Sequence, residues 1–473
     1  MKTFLSIILS FGVLTGTSAN AQKATPDAKE LQADFALFRQ ALEESHPGVY
    51  RYRTKAEMDR LFNEAGKNVS QSSDVLILYK NISSVISKLG CGHTAAQLPD
   101  RWHTDHPVRK LSLPFDFRFV NKRAFITKNY SIKTDFSPQT EITSIDGKPM
   151  KDIVSLLFQY IRTDGFIETS KYKSLERNFS VYLQVFYKES PSYKIGLKLP
   201  SGKIVESDVK LESRLPIESP DLPTYEFKIN ESKVGVITIR SFGGGGKDSK
   251  GRGYHEFLKS SFEELNSNRI QSLIIDLRGN GGGNDDYGSL LYSYLTDKPF
   301  QYYSYLEMNK PTLSFIQYTD KQEGYRTSIE NILTKDAEGR YIRVASSHPC
   351  LPLQQPQKSP FNGRLFVLID GNSFSATSEF AAIVKDKKRG IFIGEETGGA
   401  YEGNTSGGSL VLTLPATQIK VYIPQIKYVS AVHIDAQQKG RGILPDIEIT
   451  PSLLGIISNT DEVLSTALKT ATK

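Results

Sequence analysis

Three serines in the segment GNSFSATSEF, residues 371–380, are the side chains best suited to nucleophilic chemistry: Ser373, Ser375 and Ser378. The segment follows an apolar run at 365–369 and precedes a helical pattern that begins at Ala376. A short strand, a tight turn and a helix can hold a serine at the top of a sheet, where helix N–H groups can receive an oxyanion. The segment alone is equally compatible with serines that only shape the turn and cap the helix.

A second segment with chemical potential is DLRGNGGGN, residues 276–284, which follows an apolar strand and precedes a helix. Its glycines let the backbone approach a ligand closely and expose successive N–H groups. The Lys-Ser/Thr ending of a phosphate loop is missing, and no G-x-G-x-x-G occurs here. A phosphate loop and an oxyanion hole both remain open, and spacing alone does not decide between them.

The elements that must position these segments change character along the chain. Apolar residues at helical spacing over 28–67 and again over 73–89 predict an N-terminal helical domain that ends in the turn Gly90-Cys91-Gly92-His93-Thr94. Alternating runs then predict a small β-rich module with one main helix, at 150–161. From about residue 226 strands and helices alternate, which predicts an α/β core with its site at the carboxyl ends of the strands.

Boundaries for this organisation are set by those changes in pattern. The predicted parts are a signal peptide at 1–21, a helical domain at 22–108, a β module at 109–212 and an α/β core at 213–473. Residues 300–360 show no clear period and are predicted to cap the site.

The N-terminus and the composition limit the function further. A basic start, a short apolar run and Ala19-Asn20-Ala21 predict a cleaved secretory signal, and hence an exported periplasmic or secreted protein without an integral membrane segment after cleavage. The net charge of +7 is modest and the basic residues are dispersed, which argues against nucleic acid as a partner.

The two cysteines, Cys91 and Cys350, are compatible with one disulfide or with two buried thiols. No CxxC or HExxH is present and the histidines are scattered, so no metal or other cofactor is predicted.

The order of these motifs resembles one family. A buried strand ending in DLRGNGGG, then SFSATSE at a strand–turn–helix, then IGEETGG and GRGILPDIEI is similar to the tail-specific (C-terminal-processing) and tricorn-core serine peptidases. The segment TEITSIDGKPM resembles that family's PDZ domain, and KLGCGHT resembles the His-Thr stretch of the tricorn-like, His-dependent branch. The resemblance implies a crotonase-like, ClpP-like α/β peptidase core and a PDZ-like module at 109–212.

The resemblance also assigns the catalytic residues. The nucleophile of S-x-S-A corresponds to Ser375, which leaves Ser373 in the turn and Ser378 in the helix. The lysine base of the tail-specific branch corresponds to Ala400, so a Ser–Lys pair is not expected. His93 fits the histidine of the tricorn-like branch and is the predicted base, with His433 as the competing candidate.

The remaining site residues follow from the same comparison. A carboxylate should orient the imidazole and stabilise its charged form, and Asp435, shortly before the final G-x-x-P-D, is the first candidate, with Glu402 the second. The predicted oxyanion donors are the backbone N–H groups of Ala376 and Gly282. Cys91 is not favoured as a nucleophile because no base stands near it in a fixed geometry.

The sequence therefore predicts an exported serine peptidase that hydrolyses a polypeptide substrate. A catalytically inactive peptide-binding protein on the same fold is the first alternative, because the Lys is missing and the neighbours of His93 are altered. An α/β-hydrolase-like esterase is the second, and the absence of G-x-S-x-G argues against it.

Overall fold

The structure is a computed structural model that describes residues 26–131, 136–213, 222–321 and 325–473. The predicted signal peptide, residues 1–21, lies outside the described residues. Across the described ranges, none of the helices has the combined length and apolar character that a membrane span requires.

The N-terminal part is helical, as its apolar spacing predicts. It comprises α1 (Ala28–Ser45), α2 (Lys55–Ser70), α3 (Val75–Leu89), β1 (Ala95–Gln97), α4 (Asp100–Asp105) and a 3₁₀ turn at Pro107–Lys110. Reciprocal side-chain and backbone hydrogen bonds form capping boxes at the start of α1 and of α2. Helix α3 ends at Gly90, whose left-handed conformation (φ +75°) turns the chain toward His93.

The middle part is an antiparallel sheet with helices packed on it. It comprises β2 (Phe115–Val120), β3 (Arg123–Asn129), β4 (Glu141–Ile145), β5 (Lys148–Pro149), α5 (Met150–Phe158), α6 (Thr169–Tyr182), a π-helical turn at Leu183–Tyr187, β6 (Ser192–Lys198) and β7 (Ile204–Lys210). The strand order is β2-β3-β4-β6-β7, with β5 paired to β4. The prediction of one main helix was wrong, because α6 follows α5 after a ten-residue loop, 159–168.

The C-terminal part contains the alternating elements that the sequence predicts. They are β8 (Tyr225–Ile229), β9 (Val234–Ile239), α7 (Tyr254–Ser267), β10 (Ser272–Asp276), α8 (Asp285–Ser293), β11 (Tyr303–Met308), α9 (Tyr325–Glu330), β12 (Leu333–Lys335), β13 (Tyr341–Arg343), β14 (Arg364–Ile369), α10 (Ala376–Asp386), β15 (Ile391–Gly394), β16 (Thr405–Ser406), β17 (Leu410–Thr413), β18 (Lys420–Ile423), β19 (Ile426–Ser430), β20 (Ile447–Glu448), α11 (Leu453–Ile457) and α12 (Glu462–Ala471).

The central sheet has the order β20-β15-β14-β10-β9-β8, and all its neighbours pair in parallel except β8, which is antiparallel to β9 at the edge. Strand β10 is fully buried because helices cover both faces. Helices α7, α8 and α10 pack on one face, and α12 packs on the other through Val463, Ala467 and Ala471. The glycine segment and Ser375 therefore leave neighbouring strands, β10 and β14, at the same edge of the sheet.

The helical part and the C-terminal part share one hydrophobic core. Strand β1 pairs with β18, and α1 to α3 pack on the apolar side chains of β17 and β18. The buried Asp34 carboxylate of α1 accepts hydrogen bonds from the N–H and hydroxyl of Thr417. These contacts fix the turn after α3 against the central sheet, although the two lie far apart in sequence. Residues 300–360 contain β11, β12 and β13, which form a second sheet with β19 and β16.

Candidate active site

Ser375 occupies a strained turn between β14 and α10. Its φ of +57° and ψ of −130° lie in a region that non-glycine residues rarely adopt. Two hydrogen bonds hold the turn to the glycine segment: the Ser373 Oγ–H donates to the Leu277 carbonyl (2.9 Å), and the Phe374 N–H donates to the Asn280 carbonyl (3.1 Å). The surrounding backbone therefore maintains a conformation that Ser375 would not adopt by itself.

The other two serines have structural contacts. Ser373 is buried, and its hydroxyl also accepts a hydrogen bond from the Asp370 N–H (3.1 Å). Ser378 is buried, and its hydroxyl donates to the Ser373 carbonyl (2.9 Å). Only Ser375 of the three has its hydroxyl beside a histidine.

His93 lies beside Ser375, with 3.1 Å between the imidazole Nε2 and the serine Oγ. Both side chains are half-buried, and the His93 ring stacks on Phe374 at 4.6 Å between centroids. Burial, and then the nearby Arg162 charge, lower the pKa of His93 to about 4. The imidazole is therefore neutral at neutral pH, which is the form that can take a proton from a serine hydroxyl.

A second histidine anchors the turn that presents His93. His46 is fully buried at the end of α1, and its Nδ1 accepts the Gly48 N–H (3.1 Å). Because Nδ1 is thereby unprotonated, Nε2 carries the proton and donates to the Thr94 hydroxyl (2.9 Å). Burial holds the pKa of His46 at about 3, so this neutral tautomer persists across the physiological range.

The N–H groups of the two predicted oxyanion donors differ in whether they already form a hydrogen bond. The Ala376 N–H at the start of α10 forms no hydrogen bond within the described part of the chain. The Gly282 N–H instead donates to the Asn280 side-chain oxygen at 2.9 Å. Gly282 lies against the nucleophile nonetheless, and its N–H must be shared with, or released from, Asn280 before it can serve an oxyanion.

Replacement of Gly282 by alanine is expected to lower kcat/KM by at least about 10²-fold, the loss typical of one missing oxyanion donor. The added methyl group would lie 2.7 Å from the Ser375 Cβ and 3.0 Å from the Ala376 nitrogen, and the backbone φ of +98° is unfavourable for alanine. Gly281→Ala is the matched control, because a methyl group there meets no atom within 4 Å. Steady-state kinetics on both folded variants measures the difference, and equal losses would contradict a special role for Gly282.

The predicted orienting carboxylate does not reach His93. The Asp435 side chain is exposed and accepts the backbone N–H groups of Gln437 and Gln438, each at 2.9 Å. The His93 Nδ1 is buried and has no hydrogen-bond partner among the described residues, Asp435 included. The assignment of Asp435 to this role is therefore corrected: its short turn satisfies its carboxylate locally, away from the imidazole.

The alternative carboxylate and the alternative base named from the sequence also have partners other than the Ser375–His93 pair. Glu402 is buried in an ion pair with Arg51, with 3.0 Å between the Arg51 Nε and the carboxylate. His433, the competing base, is exposed, and its backbone N–H donates to the Asp386 carboxylate.

Asp164, which the sequence interpretation missed, lies beside His93. It belongs to the loop between α5 and α6, is 2% exposed, and accepts the Gly92 N–H at 2.8 Å. One of its oxygens, a ring nitrogen of His93 and the Cys91 sulfur lie within 4.8 Å of one another. Burial raises the pKa of Asp164 to about 6. The available signal was the Thr163-Asp164-Gly165 turn directly after a predicted helix.

Both cysteines are buried free thiols, so no disulfide joins them. The Cys91 thiol donates to the Thr405 carbonyl, and burial raises its pKa to about 11, which makes it a poor nucleophile. Cys91, His93 and Asp164 are the residue types that could hold a metal ion, and they form the one such group in the described part of the chain. The histidine of this group, His93, is the residue that contacts Ser375.

A buried carboxyl group supports the helix that carries the nucleophile. Glu379, one turn after Ser375, accepts hydrogen bonds from the Tyr303 hydroxyl and the Asn404 amide, each at 2.6 Å. Burial, and then the Asp285 charge, raise the pKa of Glu379 to about 8. Glu379 is therefore predominantly protonated at neutral pH, and it fixes α10 to the sheet that contains β11.

A strained serine at a strand–turn–helix, a neutral histidine within hydrogen-bond distance and a free N–H at the helix start define the class of serine-dependent acyl-transfer enzymes. Comparison with known proteins shows a similarity to one family. Residues 233–449 match the model of peptidase family S41. The C-terminal part of the chain therefore resembles the serine-type peptidases of this family.

Further similarities are to individual proteins. The chain is 27% identical over 177 residues to the tail-specific protease of Haemophilus influenzae, a match that covers 37% of this chain and 19% of that protein's length. The structure of mature CPAF superposes with a TM-score of 0.64 at 16% identity, covering 94% of this chain and 97% of CPAF. Mature CPAF complexed with lactacystin gives 0.63 at 16% identity, covering 94% and 98%. At this identity the CPAF structures establish a shared fold.

Proposed function

We propose that this protein is a peptidase that hydrolyses peptide bonds of polypeptide substrates, with Ser375 as the nucleophile and His93 as the base. The observation that carries the proposal is the 3.1 Å contact between the Ser375 Oγ and the His93 Nε2 at a strained turn. The match to the model of peptidase family S41 supports it, because Ser375 and its strand–turn–helix lie inside the matched residues 233–449.

The reaction follows from the protonation states at the site. The neutral His93 Nε2 takes the hydroxyl proton as the Ser375 Oγ attacks the peptide carbonyl carbon, and the carbonyl oxygen becomes an oxyanion beside the Ala376 N–H. The Nε2–H then protonates the leaving amine as the C–N bond breaks, which leaves an ester on Ser375. Water attacks the ester by the same route, with His93 first accepting a proton and then returning it to Ser375. No step calls for a metal or an organic cofactor.

The parts around the core have supporting roles in this proposal. The antiparallel sheet of β2 to β7 with α5 and α6 is a PDZ-like module, and a substrate strand would add to an edge of its sheet. The core is crotonase-like, and the N-terminal 21 residues are an export signal. N-terminal sequencing of the protein exported from its own cells tests the signal: a first residue other than Gln22 would contradict cleavage after Ala21.

An active-site label provides the direct test of the proposed function. The chain from residue 22 onward is expected to degrade an unfolded protein such as casein and to be modified at Ser375 by a fluorophosphonate. Lactacystin, which is bound in the CPAF complex, is a second probe. Peptide mass mapping locates the modified residue, and the Ser378→Ala variant serves as a control that keeps the nucleophile. Folded protein that neither reacts nor degrades casein would overturn the proposal.

The engaged Gly282 N–H favours one rival, a peptide-binding protein that keeps the fold without catalysis. The label separates the two, because a binder would retain peptide affinity but would not be modified at Ser375. A panel of simple esters beside the protein substrate tests for an esterase, whose ester turnover would far exceed its peptide turnover.

A further inference from the structure

Two buried polar atoms near the nucleophile lack partners in the described part of the chain. One is the His93 Nδ1 and the other is the Oδ2 of Asp164. Buried polar atoms in native proteins almost always form hydrogen bonds, so each such exception requires an explanation. When the His93 Nε2 accepts the Ser375 hydroxyl proton, as the proposed function requires, the neutral ring carries its own proton on Nδ1. His93 therefore has an unpaired donor, and Asp164 has an unpaired acceptor.

The two atoms belong to segments that are fixed to each other. The Asp164 Oδ1 accepts the Gly92 N–H at 2.8 Å, and the Gly165 N–H donates to the Gly90 carbonyl at 2.9 Å. The Asp164 carboxylate and the N–H of the next residue thus both join this loop to the histidine turn. A carboxylate oxygen of Asp164 lies within 4.8 Å of a His93 ring nitrogen, a separation that one water molecule can bridge with two ordinary hydrogen bonds.

We infer that Asp164 is the positioning carboxylate of this active site: its Oδ2 receives the His93 Nδ1–H through one bridging water molecule, and its charge stabilises the imidazolium. This inference rests on the proposed function. Asp164 takes the place that the sequence comparison gave to Asp435, and it comes from the middle part of the chain rather than from the S41-matched core.

The charges at the site support the same role. Arg162, whose guanidinium donates to the Thr94 carbonyl, disfavours a proton on His93. An imidazolium that forms during acyl transfer therefore needs a negative charge close by. Glu402 is paired with Arg51, which also lies close enough to Asp164 to lower the pKa of that carboxyl, but the Asp164 Oδ2 has no hydrogen-bonded partner among the described residues. The raised pKa of Asp164, about 6, makes it ionised at neutral pH and protonated in mild acid.

Asp164→Asn is the decisive variant, because the amide oxygen can still accept the Gly92 N–H while the charge is lost. We expect kcat/KM to fall by about 10²- to 10³-fold with KM nearly unchanged, somewhat less than the loss known for a directly bonded triad aspartate. In the wild type the activity should rise with pH through about 6 as Asp164 ionises. The Asp164→Asn variant should lack this acidic limb, that is, the rise of activity with pH. Asp435→Asn is the matched control and should keep both the rate and the limb.

Histidine NMR separates this inference from the proposed function, because it needs no turnover. With ¹⁵N-labelled histidine, wild-type His93 should show a protonated Nδ1 and an unprotonated Nε2, and Asp164→Asn should shift the Nδ1 resonance. An unchanged His93 spectrum together with an unchanged pH limb would overturn the inference, even in an active enzyme. If Asp164→Asn shifts the spectrum but the wild-type chain cleaves no substrate, the contact between Asp164 and His93 stands and the proposed peptidase function is refuted. EDTA should leave the His93 spectrum unchanged. A change would mean that Cys91, His93 and Asp164 hold a metal ion, and it would overturn the inference.

Discussion

Replacement of Ser375 by alanine is expected to lower kcat/KM by at least about 10⁴-fold, the order of loss typical when the nucleophile of a serine hydrolase is removed. The hydroxyls of Ser373 and Ser378 cannot take its place, because both donate to backbone carbonyls. The Oγ of Ser375 is half-buried and contacts the imidazole, so its removal leaves the fold intact. Casein degradation measured on protein with an unchanged unfolding transition gives the result.

Ser373→Ala and Ser378→Ala are the matched controls for this prediction. Each loses a buried hydrogen bond and is expected to be destabilised by about 1–3 kcal/mol, since the carbonyl partner stays buried. Activity per folded molecule should remain within about tenfold of wild type, because the nucleophile and its base are retained. An inactive Ser378→Ala beside an active Ser375→Ala would move the nucleophile to another serine and contradict the assignment.

Local sequence patterns predicted the scaffold of the site well. The apolar run before Ser375 and the helix from Ala376 appear as β14 and α10, and the glycine segment follows β10. Such elements can be predicted because apolar periodicity and turn residues act over a few positions. The placement of His93 beside Ser375 rests on a contact across 282 residues, and only the order of motifs in a resembling family pointed to it.

The orienting carboxylate shows where this approach fails. Asp435 was chosen by its position before a motif, but in the structure its own turn satisfies its carboxylate. Asp164 was missed because one helix was expected where two are separated by a loop, and that loop reaches the histidine turn through a hydrogen bond across 72 residues. Spacing along the chain carries no information about such a tertiary contact.

For the oxyanion donor Gly282, the sequence predicted the position but not the hydrogen bond that its N–H forms. The sequence predicts that Gly282 approaches the nucleophile, and a methyl group there would indeed touch Ser375. Its N–H is nonetheless held by Asn280, two residues earlier. Asparagine often bonds to the backbone two positions on, so this competition could have been recognised from the Asn-Gly-Gly pattern, although its outcome could not.

Replacement of His93 by alanine is the other change with a large expected effect, a fall in kcat/KM of about 10³- to 10⁵-fold, because the serine then has no base. Added imidazole should restore part of the activity by entering the space beside Phe374, on which the native ring stacks. His433→Ala is the control and should keep wild-type activity, since that side chain is exposed. Loss of activity in His433→Ala with retention in His93→Ala would assign the base to His433.

The stability of the same variant provides an independent check on the state of His93. Its pKa is about 4 in the folded chain, against an ordinary value of 6.5, so the unfolded chain binds this proton first as the pH falls. The contribution of a neutral His93 to stability is therefore complete above about pH 6.5 and decreases progressively toward pH 4. The His93→Ala variant lacks this term, and its free energy of unfolding should fall less steeply than that of the wild type between pH 6.5 and 4. Urea titrations at several pH values measure the two slopes, and equal slopes would mean that His93 titrates normally and is not held neutral beside Ser375.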